Sequence, residues 1–327
     1  MLIYIVKRLL DMIPMLIGIT LISFIVVNLA PGNPAQFLSS MNPKISETAY
    51  QKFINMYQLD KPVMERYWIW LKKLAKLDFG NSFASDQKPV LTKIAEKLPV
   101  TIYLNLSSMI LIVLISIPIG VLSAIYKNSL FDKITTLIVY IGFAIPTFWL
   151  SLLLAYYFGV IKGWLPISGL TSYEFENYKF YEKILDIAWH SILPIGVSVF
   201  GGIAGFSRFI KSSMMDVINE DYIIAAYARG IPKRSVIFKH ALRNALLPVI
   251  TILGLSIPGL IGGSVIFESI FSIPGMGQLF YQSVMMRDYP VIMGILVIGA
   301  FLTLIGNLIA DVSYAIADPR IRYGKKK

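Results

Sequence analysis

Two histidines, His190 and His240, and no cysteine make up the chain's whole inventory of imidazoles and thiols, so little catalytic chemistry is open to it. Thiol chemistry and disulfides are excluded. A zinc-type site would need both imidazoles in one coordination shell, and the topology derived below puts them on opposite sides of a membrane. His190 then reads as an interfacial or packing residue and His240 as part of a basic helix. No G-x-x-x-x-G-K-[ST] phosphate loop occurs anywhere, so ATP hydrolysis by that route is not expected of this chain. Any ATP-driven work would fall to a partner, and no catalytic, cofactor-binding or metal-binding residue is assigned.

A few ionisable groups remain. Asp311, with Asn307 one helical turn before it, lies near the inner end of an apolar segment, and Glu268 ends another. A charge at the bilayer centre costs at least about 2.5–3.5 kcal/mol on insertion scales. Asp311 with Asn307, and Glu268, therefore make polar contacts in a pore or between subunits, or else both acids sit near interfaces and reach water. From Glu268 to Val291 the chain reads ESIFSIPGMGQLFYQSVMMRDYPV. Its proline and glycines break helices while its Phe, Met and Tyr residues stay apolar, a pattern that fits a segment dipping back toward a pore.

The elements that must position these groups are membrane spans. The 327 residues are 56% hydrophobic and 15% charged, with a mean hydropathy of +0.67, far more apolar than a soluble domain of this length. A helical span needs roughly 20 mostly apolar residues. Six stretches qualify: Met12–Ala30, Val100–Tyr126, Ile134–Ile161, Ile187–Ser207, Asn244–Phe267 and Tyr289–Ala310. The fourth is interrupted by His190, Pro194 and several glycines.

With the N-terminus inside, sixteen basic residues fall in cytoplasmic positions and four in the short outer loops. That asymmetry predicts both termini in the cytoplasm. The net charge of +11 is then mostly topology, with anionic lipid as neighbour and no nucleic acid required. Lys7 and Arg8 before an apolar run imitate a secretory signal, but the run is too long and Pro31 directly follows Ala30, so an uncleaved first span is expected.

Residues 1–30 are thus the N-terminal end and first span, and 31–98 an external segment. Within it, Glu47 to Tyr57 reads as amphipathic, and ERYWIWLKKLAKLDFG as a short helix at the outer membrane face. Trp68 and Trp70 are its expected interfacial anchors. A receptor-contacting or pore-covering role and a simple packing cap are both compatible with the segment. Residues 99–327 form a five-span core. The pairs Gly201/Gly205 and Gly259/Gly263 would permit close helix approach there.

Inside the core, DYIIAAYARGIPKRSVIFKHALRNALLP, Asp221 to Pro248, is a charged, helix-forming island between apolar segments. Gly230 is suited to the left-handed conformation that closes a helix, and Pro232 to the first turn of the next. Ile231 precedes a proline and is biased out of the α region. By local chemistry alone, this is either an ordinary loop or a device on the cytoplasmic face.

At whole-chain scale, the sequence resembles the membrane subunits of prokaryotic ABC importers, specifically the dipeptide, oligopeptide and nickel permease group. The resemblance rests on DYIIAAYARG and KHALRNALLPVIT, with LAPGNPA, LDFGNSF, IPTFWL and GWLPISG ahead of them and GGSVIFESIFSIPGMG, RDYPVIMG and ADPRIRYG after them, in order along the chain. It implies an all-α integral membrane protein with the type I ABC importer fold: six transmembrane helices, cytoplasmic termini, and a coupling segment at residues 214–244. Asp221, Ala225, Ala226, Gly230, Ile231, Pro232, Leu247 and Pro248 would then form the ATPase-coupling motif. The superfamily's glutamate position is Ile224, so the acidic contact is either absent or supplied by another residue such as Asp221.

The resemblance also implies a permease in the prokaryotic cytoplasmic membrane that does no chemistry itself. Its partners would be a second homologous permease subunit, as a heterodimer, two cytoplasmic ATPases that bind ATP and Mg, and an extracellular substrate-binding protein. The expected cargo is a dipeptide or oligopeptide, with nickel or an oligosaccharide as alternatives and a self-sufficient secondary transporter as a more distant one. Ile231, Val236, Ile237 and Phe238 would supply apolar contact to the ATPase. Lys233, Arg234, Lys239 and Arg243 would pair with its acidic groups or with lipid. Glu268, Phe271, Pro274, Gly275 and Gly277 are candidates for an outer gate or receptor contact.

Overall fold

A computed structural model of the chain describes residues 2–29, 51, 54–55, 58–257 and 259–317. LAPGNPA beyond Leu29, most of the expected Glu47–Tyr57 helix and the tail motif ADPRIRYG beyond Ala317 lie outside these residues. Among them all regular structure is helical, with one isolated antiparallel bridge between Asn81 and Pro89. Among the described residues four helices are long and apolar enough to cross a membrane, and two bent helix pairs raise the number of candidate spans to six. The chain divides into two compact units.

The first unit comprises residues 1–101, 261–265 and 274–305. It contains α1 (Leu2–Leu29), α2 (Val63–Leu74), the start of α3 (Val90–Ile125), α12 (Met276–Met285) and most of α13 (Tyr289–Ala317). Amphipathic α2 buries Tyr67 against Phe24 and Met293. The phenol of Tyr67 lies 3.1 Å from the Thr20 hydroxyl and donates to the Ile17 carbonyl at 3.3 Å. That satisfies the polar end of an otherwise apolar side chain. Trp68 stays exposed, whereas Trp70 packs its ring 5.8 Å from that of Phe24. Of the two expected anchors, only Trp68 presents its ring outward; two residues along a helix turn a side chain about 200°, onto the opposite face. A second cluster joins Val90, Ile94, Met276, Leu279 and Val291.

The second unit comprises residues 102–260, 266–273 and 306–327. Its frame is the rest of α3, α4 (Leu130–Ala144), α5 (Thr147–Leu154, continued as a π-helical stretch over Ala155–Ile161) and α6 (Phe180–Ile218). The expected continuous span Ile134–Ile161 is broken, because α4 and the α5 stretch meet at 97°. Ile145 adopts extended geometry before Pro146, as a residue ahead of proline is biased to do. The interrupted fourth stretch is in fact part of the longest helix, 39 residues with Pro194 inside it.

Beyond α6 come α7 (Asp221–Ala228), α8 (Lys233–Ala245), α9 (Leu247–Ser256), α10 (Gly259–Gly262) and α11 (Val265–Ile270). The expected fifth span Asn244–Phe267 is therefore several short helices rather than one rod.

Candidate functional site

The island Asp221–Pro248 folds as two short helices around a single left-handed residue. Asp221 opens α7, where a carboxylate favours the helix N-terminus. The far end of α7 closes at Gly230, φ +75°. Gly230 N–H donates to the Tyr227 carbonyl at 2.9 Å and Ile231 N–H to the Ala226 carbonyl at 3.3 Å. These are the paired bonds of a Schellman cap, which satisfies carbonyls that would otherwise be orphaned. Pro232 stands one place before the first turn expected for it, as the cap that precedes Lys233. There its fixed φ starts α8 without loss of a helical hydrogen bond.

One face of this element is fixed to the frame. Ile223 and Ala226 of α7 and Val236, Ile237, Ala241 and Ala245 of α8 are buried in one cluster. The same cluster holds Val121 and Ala124 of α3, Ile210 and Met214 of α6, and Val249 of α9. Asn244 adds a hydrogen bond from its amide to the Tyr222 hydroxyl, 2.6 Å, tying α8 back to α7. Displacement of the bend must therefore carry the ends of α3 and α6 with it.

The other face is exposed. Tyr222, Ile224, Tyr227 and Phe238 present large apolar surface, flanked by Arg229, Lys233 and Arg234. Val236 and Ile237, expected as outward contacts, face inward and are almost fully buried. The helical period divides VIF between core and surface, leaving Phe238 outside and Ile231 half-buried against the cluster. Among the motif residues, Asp221, Ala225, Gly230 and Pro232 are exposed and Ala226 is buried. Leu247 and Pro248 mark the junction of α8 with α9. Ile224 puts an aliphatic side chain, 57% exposed, at the position where an acid was sought.

The outer element is divided between the units. In the second, Glu268 and Phe271 are buried, Ile273 N–H donates to the Glu268 carbonyl at 2.8 Å, and Gly169 N–H to that of Phe271 at 2.8 Å. In the first, Pro274 and Gly275 precede α12, and Met276 N–H donates to the Thr101 hydroxyl at 2.8 Å. A Cβ on Gly277 would lie 2.6 Å from the backbone of Ser264 and Val265, so this glycine permits a close backbone approach. Asn307 is exposed on α13, and Asp311 follows it one turn along the helix.

His190 sits near the start of α6 with its Nδ1 2.9 Å from the Asp186 carbonyl. The Asp186 carboxylate in turn accepts from the Ser172 N–H and hydroxyl at 2.8 and 2.5 Å. His190 is thus a packing residue within α6, and it is the Asp186 carboxylate that fastens the outer loop. The 28 residues from there to Ile218 span roughly 42 Å of helix, and His240 is exposed on α8, which packs against Ile210 and Met214 toward that far end.

Sequence reasoning missed an ion pair at the inner end of α4. Lys211 of α6 pairs with Asp132, which is buried and also accepts from the Asn128 N–H at 3.0 Å. Ser129 accepts from the Asp132 N–H at 3.3 Å. The S-x-x-D spacing Ser129–Asp132 is a readable capping signal; its partner Lys211 is visible only in three dimensions.

Similarity to known proteins points the same way. The family model for the binding-protein-dependent transport system inner membrane component matches residues 116–323, and its N-terminal companion matches residues 1–105. The chain belongs to this family of ABC importer permeases. The permease is 48% identical to the oligopeptide transport system permease protein AppB of Bacillus subtilis, over 98% of this chain and 99% of the relative. It is 38% identical to the dipeptide transport system permease protein DppB of Alkalihalophilus pseudofirmus, over 99% and 100%. To the glutathione transport system permease protein GsiC of Escherichia coli it is 35% identical, over 99% and 100%. The permease is accordingly an all-helical, multi-pass protein of the bacterial cytoplasmic membrane with the type I importer fold.

Proposed function

We propose that this permease forms part of the passage through which an ATP-driven importer moves peptides, and that α7 and α8 are its lever. The observation that carries the proposal is the two-faced build of that element: a buried face locked to α3 and α6, and an exposed face of Tyr222, Ile224, Tyr227 and Phe238 ringed by basic residues. An exposed apolar patch of this kind fits a partner protein. The names of the relatives, for oligopeptide, dipeptide and glutathione transport, support peptide as the cargo.

In this reading two cytoplasmic ATPases bind ATP and Mg and hydrolyse ATP, while the permease itself does no chemistry. Each ATPase grips one such lever, from this chain and from a second homologous permease subunit paired with it as a heterodimer. An extracellular binding protein delivers the peptide. Closure of the ATPases displaces the levers as rigid bodies, and the spans exchange inward-facing for outward-facing arrangements. Apolar Ile224 would make the ATPase contact less dependent on an acid, leaving Asp221, beside exposed Glu220, as the acidic group at the start of the lever. Glu268, Phe271, Pro274, Gly275 and Gly277 are proposed as the outer gate or receptor contact, and Asn307 with Asp311 as an intramembrane polar contact.

The test is reconstitution of the permease with its partner permease, ATPases and binding protein in liposomes loaded with ATP. Accumulation of a labelled di- or oligopeptide that requires both ATP and the binding protein is the expected result. Uptake that persists without the ATPases would sink the reading in favour of a secondary transporter.

A further inference from the structure

The first unit contains a cavity of about 380 Å³ that the transport reading does not use. Phe24, Ile69, Trp70 and Met293 form its apolar wall, and Arg66 and Lys73 supply two cations. Asp78 is the acidic residue in the lining, and one of its oxygens is engaged by the Gly80 N–H at 2.9 Å. Volume and mixed lining match those of small-molecule sites, which run to roughly 300–1,000 Å³.

Two polar groups in this cavity have no partner among the described residues. The guanidinium of Arg66 is half-buried and has no hydrogen bond or ion pair among the described residues. Burial lowers its pKa from the ordinary value, against the opposing influence of Tyr289 and Asp60, yet arginine stays charged. Asn28 donates its amide to the Phe24 carbonyl at 2.8 Å, while its Oδ1 is buried without a partner. An unfilled acceptor and a partly desolvated cation are both costly unless something occupies the space between the walls.

Position narrows the occupant. Asn28 is next to the last residue of apolar α1, and Tyr289 and Pro290 open apolar α13. The cavity thus sits at the outer ends of two spans, where hydrocarbon meets headgroups. We propose that it binds one anionic phospholipid of the outer leaflet, its phosphate on Arg66, a headgroup hydroxyl donating to Asn28 Oδ1, and its upper acyl carbons along Phe24, Trp70 and Met293. Guanidinium matches phosphate bidentately. Lys73 favours a net negative headgroup over a zwitterionic one, whose own ammonium it would repel.

The experiment titrates the full-length permease, purified in neutral detergent, with short-chain phosphatidylglycerol, reading the melting temperature and the lipid retained in native mass spectrometry. Phosphatidylglycerol should stabilise the protein and stay bound, and Arg66→Gln should weaken it at least about tenfold. Arg66→Lys should recover part of the loss, and Asn28→Leu should weaken phosphatidylglycerol several-fold. The lipid-free melting temperature of each variant shows whether it folds, and Lys73→Gln at the cavity wall, expected to weaken binding, gives an independent reading if Arg66→Gln does not. Parallel titrations use phosphatidylcholine, inorganic phosphate and a tetrapeptide. Equal binding of phosphatidylcholine, saturation by inorganic phosphate alone, displacement by the peptide, or unaltered binding in the folded variants would each overturn the proposal.

Discussion

Asp288 and Ser82, 206 residues apart in the sequence, are joined by a buried hydrogen bond in which the Ser82 hydroxyl donates to the Asp288 carboxylate. The other carboxylate oxygen accepts from the Phe83 N–H at 2.9 Å, and the Lys93 ammonium donates to the Ser82 oxygen at 2.8 Å. The external loop ahead of α3 is thereby pinned to the turn ahead of α13. Asp288→Ala would leave the Phe83 N–H and the Ser82 hydroxyl without their acceptor. Hydrogen bonds to charged groups contribute about 1.5–3 kcal/mol each, so the melting temperature of the purified permease should fall markedly. An unchanged value would mean that the knot carries no stability.

At Gly230 the constraint is conformational rather than steric. A Cβ there would meet nothing within 4 Å, yet the residue holds φ +75°. Left-handed geometry costs an L-residue roughly 1–2 kcal/mol and is hardest for β-branched side chains. Gly230→Val should therefore lower ATP-driven uptake at least about tenfold with the subunit still inserted, whereas Gly230→Asn, which tolerates that geometry, should keep most of it. Loss of uptake in both variants alike would point to a contact at this position and away from the bend.

Opposite effects are expected from two neighbours in α8. Ile237 is 5% exposed within the cluster that joins the lever to α3 and α6, and Phe238 is 50% exposed. Ile237→Ala should cost about 2–5 kcal/mol of stability, seen as a lower melting temperature. Phe238→Ser should leave that temperature alone while weakening co-purification of the ATPases. A drop in melting temperature for Phe238→Ser would place that ring in the core.

The outer loop supplies a pH dependence. Burial alone would raise the Asp86 carboxyl, but the hydrogen bond and charge of Lys93, 2.9 Å away, together with Lys88, hold it below the ordinary value. A carboxyl whose folded pKa is depressed contributes stability that is complete above its unfolded pKa, about 3.9, and disappears as pH falls through the lower folded value. The difference in melting temperature between wild type and Asp86→Asn should therefore be constant above about pH 5 and shrink below pH 4. Asp86 is largely exposed, so the difference should be small and should diminish with salt. A difference that grows on acidification would contradict the assignment.

Much of this was legible in the residues, and the failures have physical causes. The run lengths of apolar residues gave the spans, because the hydrocarbon core fixes their length. Gly230 and Pro232 gave the bend, because few residues take those backbone angles. The break at Pro146 was lost because IPTFWL stays apolar on both sides of it. Lys211–Asp132 and Ser82–Asp288 could not be found at all, since nothing local relates residues so far apart. The cavity at Arg66 was hidden for a like reason: its walls come from α1, α2, the segments on either side of α2, and α13.

Glycine packing shows how near a motif can come without locating the contact. A Cβ on Gly201 or Gly259 would meet no atom within 4 Å, and Gly263 is needed for its φ of +64°. The close approaches in the second unit are elsewhere. A Cβ on Gly202 would meet the flexible end of Ile112 at 2.2 Å, whereas one on Gly120 would lie 2.7 Å from the Cβ of Ile210 and 2.8 Å from the Ser207 carbonyl. Ile112 can turn aside; a Cβ and a backbone oxygen cannot. Gly120→Ala should thus force α3 from α6 and cost about 1–3 kcal/mol, with a lower melting temperature and reduced uptake, because Ile210 belongs to the cluster that holds the lever. Gly201→Ala should be close to neutral in both assays. If the two substitutions behaved alike, the α3–α6 approach at Gly120 would not be the tight contact that the geometry describes.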